Sequence, residues 1–141
     1  MKTFLHIELE PTLSAIDQAR EDVRSFCRAQ DLRRHTEIAV MLVIEELITN
    51  SLEHGQCPND ASISVDLDYQ PGTLVLEYRD SGVEFDPTPL LGAEIDIDAT
   101  MSGTRLGGFG WQLIGHYCHE CDYRREGQQN VLRLAMQTFN Q

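Results

Sequence analysis

The chain predicts an α+β fold, a two-layer α/β sandwich with helices on one face of a mostly antiparallel mixed sheet. Three observations lead there. Segments with strand-like alternation lie at both ends and in the middle of the chain, and they are half apolar, half polar. One helical segment is apolar round most of its circumference, as a helix pressed against a sheet must be. The elements follow the order β-α-α-β-β-loop-α-β-β, and 141 residues suit a single domain.

"TFLHIEL" alternates, with Leu5, Ile7 and Leu9 on one face, and Pro11 ends it. Thr12 or Ser14 is placed to cap a helix running to about Gln30, and Asp31 to open a second helix that Gly55 stops. In "SISVDLDY" Ile63, Val65, Leu67 and Tyr69 share a face; after "QPG", "TLVLEYRD" puts Leu74, Leu76, Tyr78 and Asp80 together. The stretch from Ser81 to about Leu106 is glycine- and acid-containing with weak periodicity, and so long a connection inside a compact domain is usually functional. A third helix starts near "GGFGWQLIGHYC". "HYCHEC" (His116 to Cys121) is read as the end of that helix, its cysteines as small core hydrophobes ahead of zinc ligands. "CDYRREGQQNVLRLAMQ" forms a closing hairpin with Leu132, Leu134 and Met136 inward.

Net charge is −12, which opposes non-specific nucleic-acid binding. Five of the eleven basic residues, Arg20, Arg24, Arg28, Arg33 and Arg34, nevertheless cluster. Asp17 and Glu21 stand three residues before Arg20 and Arg24, so ordinary helix-surface ion pairs compete with a partner-binding patch as the explanation. No apolar run approaches the roughly 20 residues that span a bilayer, and "MKTFLHIELEP" is unlike a signal peptide. The expected setting is the cytoplasm, with the four cysteines as free thiols.

The second helix carries the chemistry. On a wheel, Glu46, Asn50 and Glu53 fall within a sector of about 60° on an otherwise apolar helix. That stripe either faces water or lines a ligand cleft. An amide oxygen one turn from a carboxylate suits Mg²⁺, a hard ion that keeps several waters, and the carboxylate can take a proton from a hydroxyl. Asp80 shares the inward face of its strand, where a carboxylate must be paired or ligand-bound. Ser81-Gly82 follows at once, a turn through which backbone approaches a ligand closely. "GGFG" before a helix offers amides to phosphate, although Gly107, Gly108 and Gly110 also fit a hinge with close packing.

Together these segments resemble a known family. "EELITNSLEHG" looks like the N box, "RDSGVEFDP" like the first glycine box and "GGFGWQLI" like the second glycine box of the GHKL ATPase/kinase superfamily, and "NVLRLAM" resembles its last strand. The motifs run in the family's order over nearly the whole chain. Within it the likeness is to the small stand-alone serine kinases that act as anti-sigma factors in bacterial partner switching. The resemblance implies a Bergerat-type ATP-binding fold over residues 1–141, with an ATP lid at about residues 81–106. It also implies the cofactors ATP and Mg²⁺. By resemblance Asn50 is the Mg²⁺ ligand, Glu46 the general base, and Asp80 the acceptor for the adenine amino group, with Gly82 making room for the base. Gly107, Gly108 and Gly110 resemble the phosphate-binding turn, and Arg105 is placed to reach the terminal phosphate from the lid.

The implied activity is ATP-dependent phosphorylation of a serine or threonine on a small antagonist, an anti-anti-sigma protein of the STAS type, with a sigma factor or other client as second partner. Direct nucleic-acid and membrane contact are not expected, and homodimerisation stays open. The chain departs from the family where Asp-x-Gly-x-Gly is usual: the second glycine is Glu84, although the "FDP" that follows suits the stand-alone branch. No helix with a phosphoacceptor histidine precedes the domain, which argues against a complete sensor kinase. Two other readings remain: a module that holds ATP structurally and binds a partner without phosphorylating it, and a detached histidine-kinase-type ATPase domain.

Overall fold

Alternation along the backbone becomes a five-stranded sheet because each strand has one face to bury. The computed structural model describes residues 2–92 and 110–141. Its elements are β1 (Phe4–Leu9), α1 (Ser14–Ala29), α2 (Arg34–His54), β2 (Ile63–Gln70), β3 (Thr73–Asp80), the short α3 (Thr88–Leu91), α4 (Gly110–Tyr117), β4 (Cys118–Glu126) and β5 (Gln129–Gln137). Strand order is β1-β2-β3-β5-β4, and all four pairings are antiparallel, the uniform case of the mostly antiparallel sheet expected. Ile63, Val65 and Leu67 of β2 meet Leu74, Leu76 and Tyr78 of β3 and Leu132, Leu134 and Met136 of β5 on the helix-covered side. Each fully buried aliphatic chain contributes about 1.5–3 kcal/mol. The other side of the sheet carries charge, with Glu77 set among Arg79, Arg124 and Arg133.

Helix α2 lies across the core and buries Val40, Val43, Ile44, Leu47, Ile48 and Ser51. It begins at Arg34, three residues later than Asp31, because Asp31 takes a left-handed φ of 56° and Leu32 bridges to Asn140 near the C-terminus. Neither Thr12 nor Ser14 caps α1; their hydroxyls bond each other at 2.8 Å. The larger correction concerns "HYCHEC". The helix stops at Tyr117, and Cys118 and Cys121 sit on β4, half-buried against the core. A register shift between Cys118 and Glu120 breaks the strand alternation there. All four cysteines are free. Within the stretch expected to be irregular, Thr88–Leu91 forms one helical turn that packs on α4. Among the described residues no helix is long and apolar enough to cross a membrane.

Candidate nucleotide site

Helix α2, the end of β3, the turn after it, the start of α4 and the β4–β5 hairpin enclose a cavity of about 360 Å³, within the range of roughly 300–1,000 Å³ usual for small-molecule sites. Asn50 from α2 and Asp80 from β3 both line it. Their meeting is a product of the fold: residue 50 lies past the middle of one helix, residue 80 at the end of a strand that the helix crosses. Leu47, Val83, Phe85, Pro87, Trp111 and Leu132 supply apolar walls. Phe85 and Trp111 tilt against each other with ring centroids 5.8 Å apart.

Asp80 is buried and its carboxylate is heavily bonded. Oδ2 accepts from the Ser51 hydroxyl at 2.6 Å; Oδ1 accepts from the Gly82 N–H at 3.2 Å and from Asn130 Nδ2 at 2.9 Å. Ser51 Oγ in turn accepts from the Tyr78 hydroxyl at 2.6 Å, and the Tyr78 oxygen lies 3.2 Å from the Leu47 carbonyl, which shares the same proton. Burial pushes the Tyr78 phenol far above its usual range, so it stays a neutral donor. A carboxylate has about four acceptor positions. The described residues take three, which leaves Asp80 room for one more donor.

Gly82 does not line the cavity. The Cβ of any other residue there would sit 2.5 Å from the Gly55 carbonyl oxygen, so its missing side chain admits the end of α2 against the turn. Val83 N–H donates to that same carbonyl at 2.8 Å. Glu84, the departure from the family pattern, does line the cavity and is exposed.

The polar stripe of α2 is graded in burial. Glu46 and Asn50 are half-buried, whereas Glu53 is exposed beside His54. Burial first, then the Glu45 and Glu53 carboxylates, raise the Glu46 pKa above its ordinary value. The first residue of α4 faces this pair: a Cβ at Gly110 would lie 2.5 Å from Glu46 Oε2 and 3.7 Å from Asn50 Nδ2. Asn50 Nδ2 is buried without a hydrogen-bond partner among the described residues. A buried amide left unpaired beside a cavity is what a site awaiting a polar ligand would show. The described residues hold no cluster of three His, Cys, Asp or Glu suited to a metal. One amide plus a neighbouring carboxylate therefore fits Mg²⁺ only in the manner usual for that ion, with waters and ligand phosphates completing the shell. Arg105, Gly107 and Gly108 lie outside the described residues.

Sequence reasoning missed Ser51 and Asn130, the side-chain partners of Asp80, the Tyr78 hydroxyl that meets Ser51, and the Phe85–Trp111 wall. Ser51 sits one residue from Asn50 and reads as an unremarkable helix serine; Asn130 is distant in sequence and gains meaning only from strand register.

A family model described as "Histidine kinase-like ATPase domain" matches residues 9–136. "Serine/threonine-protein kinase BtrW" of Bordetella bronchiseptica is 27% identical over 95 residues, covering 67% of this chain and 66%, just short of two thirds, of that relative. The RsbU and RsbW domains of Rv1364c from Mycobacterium tuberculosis superpose with a TM-score of 0.61 at 14% identity, covering 97% of this chain and 33% of that one. The latter likeness is one of fold.

Proposed function

The chain belongs to the histidine kinase-like ATPase domain family, and on that premise we propose that it is an ATP- and Mg²⁺-dependent protein serine/threonine kinase of the anti-sigma, partner-switching class. Family membership implies ATP binding. The observation that carries the reading is the convergence of Asn50 and Asp80 on one cavity; Glu46 and Gly110 do not line it but face each other next to Asn50. The similarity to BtrW, named a serine/threonine-protein kinase, supports the choice of acceptor.

In this reading Asp80 accepts from the exocyclic amino group of adenine, and the apolar walls cover the base. Asn50 would hold Mg²⁺, whose chemistry is to neutralise charge on the phosphate oxygens. Arg105, Gly107, Gly108 and Gly110 belong to the phosphate end on the family resemblance. The acceptor hydroxyl oxygen forms the new P–O bond, the bond to ADP breaks, and the hydroxyl proton passes to the Glu46 carboxylate. Catalysis of this kind rests mainly on positioning and charge, and a raised carboxyl pKa brings Glu46 nearer to the operating pH of a general base. The substrate is a small antagonist protein of the anti-anti-sigma type, and a sigma factor or comparable client is the second partner.

The test is mass spectrometry of proteins captured by the chain and then incubated with Mg-ATP. An acid-stable phosphate on serine or threonine is the expected product. Glu84, a carboxylate lining the cavity where the family usually has glycine, favours one rival; ATP binding with no phosphorylated partner would select a non-phosphorylating regulatory module. An acid-labile phosphate would select histidine-kinase-type chemistry.

A further inference from the structure

Three residues on three adjacent strands stand in one row. Arg125 of β4 is the register partner of Asn130 of β5, and Asn130 is the register partner of Asp80 of β3. Their side chains repeat the connection. Arg125 Nη1 donates to Asn130 Oδ1 at 3.1 Å, and Asn130 Nδ2 donates to Asp80 Oδ1 at 2.9 Å. The amide is fixed in this sense. Its oxygen also faces the Tyr123 hydroxyl at 2.6 Å and the Phe85 N–H at 3.3 Å, while its nitrogen also donates to the Val83 carbonyl at 2.8 Å. Turned over, the amide would keep only the Tyr123 contact, since a hydroxyl can also accept, and would lose the other four bonds. Arg125 reaches the same turn directly, donating to the Gly82 carbonyl at 2.8 Å.

We infer that Arg125 and Asn130 are positioning residues that hold the Asp80 carboxylate, and the turn from Gly82 to Phe85, in the form that recognises a purine amino group; this rests on the reading of the cavity as an adenine-nucleotide site. The physical basis is a polarised chain. A guanidinium bonded to an amide oxygen draws electron density from the amide, which strengthens its N–H bond to the next acceptor. The positive charge of Arg125 is thus delivered to Asp80 through Asn130, from outside the cavity. Asp80 is left oriented, with one acceptor position not used by the described residues. An amino N–H satisfies that position; a carbonyl oxygen at the same place of the purine meets repulsion. Asn130 also anchors Phe85, so the carboxylate and one apolar wall are set by a single side chain.

The test compares ATP with inosine triphosphate, which carries a carbonyl where adenine carries the amino group, by calorimetry on the whole chain. The native chain is expected to prefer ATP. Arg125→Met, which keeps most of the side-chain bulk, should weaken ATP binding by about 5- to 30-fold and leave inosine triphosphate nearly unaffected, so the preference narrows. Asn130→Ser also frees Phe85 and should weaken both nucleotides, ATP the more. In an Asp80→Asn background, Arg125→Met should add little, because the two act as one unit. Equal loss for both nucleotides, additivity with Asp80→Asn, or an unchanged ATP affinity would each overturn the inference. Absence of ATP binding to the native chain would instead remove the site reading on which it stands.

Discussion

A general base should be available to take a proton without being so well solvated that it has no need of one. Glu46 meets this by position: half-buried, near two other carboxylates and beside the first residue of α4. Glu46→Gln should lower phosphotransfer by roughly 10²–10⁴-fold with ATP affinity almost intact, measured by labelled phosphate transfer and calorimetry; undiminished transfer would remove Glu46 from the mechanism. The same residue makes a stability prediction with a definite sign. Folding raises its pKa above 4.5, so its contribution to stability is present below that value and is lost as pH rises through the raised one. A permanently neutral Gln escapes that loss. Glu46→Gln should match the native Tm near pH 4 and exceed it increasingly as pH rises to neutrality, a trade of stability against activity. A Tm difference independent of pH would contradict the burial argument.

Among the elements, the close contact of α2 with the turn after β3 depends on Gly82. Gly82→Ala drives a Cβ against the Gly55 backbone and should cost about 1–3 kcal/mol, read by urea unfolding. An unchanged midpoint would show that the turn yields. On α1 the basic cluster has its helix-surface pairs, Arg20 with Asp17 at 3.0 Å and Arg24 with Glu21 at 3.6 Å, and it also reaches α2 through Arg28 and Glu37 at 3.5 Å. Such exposed pairs contribute little each. Arg24→Glu should therefore spare the fold and ATP affinity while slowing association with a captured partner, as rim charges do; an unaltered association rate would leave the cluster a helix-surface feature only.

Legibility also varied by element. Strand parity placed Asp80 on the buried face of β3, and helical spacing placed Glu46 and Asn50 on one side of α2, because both signals are local. The partners of Asp80 were hidden because Ser51 and Asn130 reach it through packing and strand register, which no periodicity records. At Cys118–Cys121 the local signal misled: the register shift near Glu120 removes the alternation that would have announced β4.

For the molecule as a whole, sheet order and the helix layer are what bring separated segments to one cavity, and family membership agrees with that arrangement. A ligand that binds only this folded arrangement stabilises it by mass action, by about 2.7 kcal/mol at a hundred times its Kd. Calorimetric titration of the native chain and of Asp80→Asn with Mg-ATP puts the shared site to the most direct test. One ATP per native chain, with affinity sharply reduced in the variant, is the expected result. No heat from the native chain, or equal affinity in both, would contradict the assignment of this cavity to ATP.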